Sequence, residues 1–203
     1  MRIIDISPLV SEASPVYPGD APLTLEFSLS PLVRVSTLKM SAHLGAHVDA
    51  PLHLNRSGDV TDIDLSTMIG PCQVVEVQKT GGIEVKDLGR IHCPRVLIKT
   101  GFKPSTKWTD TFAYLTEKAT AHLIEQGVRL IGIDTPSIDL ANDQKLQSHV
   151  LAIDANVLIL ENLDLNQTQA GDYELIALPL KIQGLEASPV RAVLINNKES
   201  KGG

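Results

Sequence analysis

Thr116-Glu-Lys-Ala-Thr-Ala-His-Leu-Ile-Glu-Gln-Gly127-Val-Arg-Leu130-Ile-Gly-Ile133 is the stretch from which the fold can be read. Thr116 suits an N-cap, Leu115 and Ala119 to Leu123 give one apolar face, and Gly127 suits the residue just past a helix end. The spacing therefore predicts a helix over 116–126. The apolar run Leu130–Ile133 that follows reads as a strand buried on both faces. Two runs of the same character lie upstream, Val74-Val-Glu-Val77 and Arg95-Val-Leu-Ile98. With the helix between the second and third runs, they outline a βαβ-like unit with parallel strands.

Working outward, strands are expected over 2–7, 23–29 and 32–41, the last with alternating Val33, Val35 and Thr37. Others are expected near 156–160, 173–179 and 189–195, with a second helix over about 144–153. Residues 11–22 carry Pro15, Pro18, Gly19 and Pro22 and read as a shaped loop. Strands outnumber helices. The expectation is a mixed α/β fold with a largely β core and flanking helices, one domain over 1–196 and a disordered polar tail at 197–203.

The bulk numbers narrow the function. The chain has 203 residues, a net charge of −6 and 3% aromatic residues. With no basic stripe and few stacking side chains, nucleic acid is not an expected partner. No apolar run approaches the roughly 20 residues of a membrane span, and no secretory leader is evident. Cys72 and Cys93 form no CxxC pair, so a reducing, cytoplasmic setting is expected.

The chemistry concentrates in His43-Leu-Gly45-Ala46-His47-Val-Asp49-Ala-Pro51-Leu-His53, which holds half of the six histidines. Imidazole and carboxylate together are ligands for zinc and similar ions, and a surplus histidine can move protons. His43, His47, Asp49 and His53 share one parity, but full extension would spread them over about 33 Å. The chain must bend, and Gly45 and Pro51 are the residues able to bend it. A strand ending at a glycine turn would gather His43, His47 and Asp49 as ligands, leaving His53 as acid/base. Further ligands are available in His149, on the second helix, and Glu161, at the end of an apolar run. Asp134-Thr-Pro-Ser-Ile-Asp139 suits a loop lining a site and equally a plain turn. His92 and His122 receive no role.

This window resembles the His-x-Gly-Thr-His-x-Asp-x-Pro-x-His signature of the cyclase-type metal-dependent hydrolases. Ile3–Pro8, Pro18–Asp20, Gly70-Pro71, Leu130–Ser137, Gly171–Pro179 and Ser188–Ala192 extend the likeness over residues 1 to 195, to the bacterial kynurenine formamidase (arylformamidase) branch. The resemblance implies a swivelling β/β/α domain and two zinc ions, with manganese as an alternative. It implies His43, His47 and Asp49 around one ion and Asp49, His149 and Glu161 around the other, Asp49 bridging. It further implies His53 as catalytic residue, Tyr17 against the substrate ring, and a homodimer acting on a small aryl formamide. Two positions depart from the pattern. Ala46 stands where the signature has threonine, and Tyr17 where tryptophan is usual. The competing expectations are a hydrolase for another aryl or cyclic amide, and a metal-binding member without activity.

Overall fold

A computed structural model describes residues 1–103 and 107–196; the tail expected at 197–203 lies outside the described residues. The strands are β1 (Arg2–Asp5), β2 (Thr24–Leu29), β3 (Arg34–Lys39), β4 (His47–Asp49), β5 (Ile69–Glu76), β6 (Gly81–Ile83), β7 (Arg95–Lys99) and β8 (Ala113–Leu115). They continue with β9 (Leu130–Ile133), β10 (Leu158–Glu161), β11 (Gly171–Ile176), β12 (Ala187–Pro189) and β13 (Val193–Asn196); the helices are α1 (Glu117–Glu125) and α2 (Gln147–Asp154). Nine strands form one sheet in the order β1-β13-β11-β5-β7-β9-β10-β4-β12. Its centre, β5-β7-β9-β10, is parallel. The flanking pairs on both sides are antiparallel.

The parallel centre needs three crossovers, and the one from β5 to β7 runs through β6 without an α-helix. The connection from β7 to β9 contains α1, and that from β9 to β10 contains α2, which is how neighbouring parallel strands are usually joined. The cap read from the sequence is present: Thr116 Oγ1 accepts from the Ala119 amide at 3.3 Å. Helix α2 begins later than expected and has no side-chain cap of its own, its N-cap Leu146 being left-handed with φ 47°. Asp139, from the loop after β9, caps it instead, accepting the Ser148 and His149 amides at 2.9 Å each.

Alternation along the strands sorts side chains into two layers. Ile131, Ile133 and Ile159 pack on the helix side with Ala119, Leu123 and Ala152. Leu130, Leu160 and Val48 pack on the opposite side with Ile4, Leu175 and Leu194. Gly132 belongs to the second face, where a Cβ would come within 2.3 Å of Leu97 and 3.0 Å of Leu163. By the same parity, Asp49 and His47 on β4 and Glu161 on β10 project to the helix side, because Asp49 pairs with Ile159 and His47 with Glu161.

The strands expected over 23–29 and 32–41 are present as β2 and β3, which pair into a hairpin whose twelve strand residues are all exposed. Two expectations need correction. The strand expected over 189–195 is two strands: β12 pairs with β4 at one margin, whereas β13 lies between β1 and β11 at the other. In the histidine window, the strand follows the glycine turn rather than ending at it. Among the described residues, no helix is long and apolar enough to cross a membrane.

Candidate metal centre

The bends in the window come where the sequence allows them. Gly45 is left-handed (φ +76°), and a Cβ there would strike Val10 at 2.5 Å, so the turn requires glycine. Pro51 opens a short 3₁₀ turn, Pro51–Leu54, that carries His53. Between them β4 lies flanked by β10 and β12, and it holds His47 and Asp49 almost entirely out of solvent, at 1% and 2% exposure.

All six residues proposed for the metals and the proton transfer converge. Asp49 is the hub. Its Oδ1 lies 3.2 Å from His43 Nδ1 and 3.6 Å from His47 Nε2, and its Oδ2 lies 3.5 Å from His149 Nε2. Glu161 sits between the two buried imidazoles, with Oε2 3.4 Å from His47 Nε2 and Oε1 3.2 Å from His149 Nε2. The His53 ring lies 4.5 Å from that of His43 and 5.7 Å from that of His149, centroid to centroid.

The donor chemistry fits a cation. His47 Nδ1 donates to the Gly45 carbonyl at 2.9 Å, and His149 Nδ1 donates to Asp139 Oδ2 at 2.7 Å. With Nδ1 committed, each neutral ring turns an Nε2 lone pair inward, toward carboxylate oxygens that also offer only lone pairs. His47 Nε2 and both oxygens of Asp49 are buried without any hydrogen-bond partner. Orphaned acceptors facing one another are costly unless a positive charge sits among them. In the metal-free protein that charge is a proton. Burial disfavours it on His47, but the Glu161 and Asp49 carboxylates outweigh burial and raise the pKa from 6.5 to about 8. On His149, too, burial is outweighed, chiefly by Glu161 and Asp139, and the pKa lies well above the usual value. His53 moves the other way: burial lowers its pKa, so the neutral ring is favoured near neutrality.

Asp139 is a residue of this cluster's surroundings that the sequence does not single out. It orients a buried imidazole and caps the helix bearing it, the carboxylate–histidine arrangement typical of metal sites. Ala46, despite replacing a threonine, does not touch the cluster; its side chain packs in the apolar layer on the other face of the sheet.

A cavity of about 730 Å³ opens above the cluster. Tyr17 stands at its wall, half exposed, with its ring 5.2 Å from Trp108 in an edge-on contact. Trp108 continues to Phe112, and Phe112 to Phe102. Four of the seven aromatic residues in the chain thus line one cavity. Sparse aromatic content was the available signal; that they gather here is visible only in three dimensions.

Residues 4–140 match the model of the Cyclase family, described as "Putative cyclase". The chain belongs to the cyclase family. It is 43% identical to a kynurenine formamidase of Bordetella petrii over 95% of this chain and 97% of that one. It is 42% identical to one of Delftia acidovorans, with the same coverage. Among solved structures, a protein described as a predicted metal-dependent hydrolase from Bacillus stearothermophilus superposes with a TM-score of 0.84 at 28% identity, covering 95% and 97% of the two chains. Isatin hydrolase A from Labrenzia aggregata shares the fold, with a TM-score of 0.84 at 24% identity.

Proposed function

We propose that the protein is a metal-dependent amidohydrolase that cleaves N-formyl-L-kynurenine to L-kynurenine and formate. The observation that carries this reading is the position of the acceptor-only cluster at the base of an aromatic cavity, in a chain 43% identical over nearly its full length to a kynurenine formamidase. An aryl formamide presents the two features such a site reads: a flat ring and a small polar group beside it.

His43, His47, Asp49, His149 and Glu161 would together hold the metal, two zinc ions or manganese in their place, with Asp49 at the centre of the set. When bound, the ions supply an acidified water and a Lewis acid for the formyl oxygen. The protein does the rest. Tyr17 and Trp108 hold the ring and keep bulk water from that side of the cavity. Asp139 fixes the His149 ring, and the Gly45 carbonyl fixes that of His47. His53, neutral and free of strong partners in the cluster, accepts a proton as the formyl carbon is attacked. It returns the proton to the anilide nitrogen as the C–N bond breaks, so the amine leaves uncharged.

We further propose a cytoplasmic homodimer in which the exposed β2–β3 hairpin packs on the second copy. Leu29, Leu32, Val33, Val35 and Leu38 are each more than half exposed on this arm, and an isolated two-stranded ribbon is of marginal stability.

Substrate class is tested by comparing N-formyl-L-kynurenine, formanilide and a cyclic amide such as isatin on one preparation. Formyl-kynurenine should have the highest kcat/KM. Preference for the cyclic amide would overturn the assignment while leaving the metal chemistry in place.

A further inference from the structure

We propose that His92, Cys93 and Asp172 form a second, surface metal site that takes a thiophilic divalent cation of the zinc and cadmium class. The three residues each offer one ligand atom, and these atoms all lie within 4.8 Å of one another. The site is remote from the cluster around Asp49: His92 and Cys93 immediately precede β7, at the N-terminal end of the parallel strands, whereas Glu161 closes the C-terminal end of β10.

The donors are mixed in the way zinc favours, one nitrogen, one sulfur and one oxygen, leaving a fourth position for water. The scaffold is already set. His92 Nε2 and Asp172 Oδ1 are 2.7 Å apart, so the ring is oriented before any ion arrives. Gln73, buried on β5, accepts from the His92 amide at 3.1 Å and donates to the Arg90 carbonyl at 2.8 Å, pinning the turn that carries His92 and Cys93. Gln73 is also the register partner of Asp172 on β11. Both sides of the site therefore rest on one residue, and binding needs little reorganisation.

Two simpler readings explain less. A His–Asp contact at the surface is worth little by itself and leaves the neighbouring thiol unexplained. A nucleophilic Cys–His pair would need an acidified thiol, but burial and the Asp172 charge push the Cys93 thiol up. A cation bound here would clip the turn before β7 to β11 and stabilise that margin of the sheet.

The probe is cadmium titrated into the metal-loaded protein, read by the ultraviolet thiolate-to-cadmium charge-transfer band. The cluster around Asp49 contains no sulfur and Cys72 is fully buried, so the band reports Cys93. One equivalent should develop in the wild type and in Cys72→Ala, and be absent in Cys93→Ser. His92→Ala and Asp172→Asn, at exposed positions, should bind at least about tenfold more weakly. Hydrolytic activity should stay near wild type in Cys93→Ser, which separates this site from the proposed reaction. No band in the wild type, or an undiminished one in both His92→Ala and Asp172→Asn, would overturn the proposal.

Discussion

His53 and Asp139 carry the most discriminating substitutions. His53→Ala should lower kcat by about 10²- to 10⁴-fold while the metal content is unchanged, because the residue is assigned a proton and not an ion. Loss of metal together with activity would instead make His53 a ligand, a role its grouping with His43 and Asp49 makes worth testing. Asp139→Asn keeps the size of the side chain but weakens its hold on His149. Metal affinity should fall about 10- to 100-fold, read by competition with a chromogenic chelator. Protonation provides a further check. In metal-free protein the folded pKa of His47 is raised, so its contribution to stability is complete below pH 6.5 and is lost as pH rises through about 8. Thermal melts of the metal-free protein should therefore move down over that range. Metal binding, which needs the neutral ring, should strengthen over the same range. Opposite trends would show that the buried pair is miswired.

At this scale the window was legible because its ligands are adjacent in sequence and their types declare the chemistry. His149 and Glu161 were legible as candidates but could be paired only through resemblance, since each is separated from Asp49 by about a hundred residues. Asp139 looked like part of a polar turn, and nothing local marks its second partner.

At the scale of elements, the tight points are glycines and a borrowed cap. Gly132→Ala forces a methyl into Leu97 and Leu163 and should cost about 1–3 kcal/mol in denaturant unfolding. An unchanged midpoint would mean that Leu97 and Leu163 can give way without penalty. The strands of the parallel centre and α1 were read correctly because buried strands and a capped amphipathic helix carry strong local patterns. Strand β4 was not, being three residues long and bounded by a turn on one side and a proline on the other. The split of β12 from β13 was hidden because the apolar pattern runs across the break at 190–192, and only pairing partners distinguish the two strands. The hairpin alternates like a half-buried strand, and its apolar residues are consistent with the proposed second copy. Leu32→Asp combined with Val35→Lys should convert a dimer to monomer in sedimentation velocity; a dimer that persists would place the interface elsewhere.

The whole molecule places the centre by topology. Sheet order inserts β4, from the first quarter of the chain, between β10 and β12 from the last quarter. That insertion brings the window to Glu161 and to the helix bearing His149, and no sequence pattern announces it. The cavity above then gathers its aromatic wall from the 11–22 loop and from the segment before β8. Acceptors without donors at the base, and rings at the wall, together imply a metal-assisted attack on a small group attached to a flat one. The most direct test is hydrolysis of N-formyl-L-kynurenine by the purified protein, with metal content determined on the same sample before and after chelation. Turnover should accompany about two divalent ions per chain, vanish on chelation and return with zinc or manganese. Turnover that survives complete removal of metal, or a fully metal-loaded protein that leaves formyl-kynurenine intact, would contradict the proposed function.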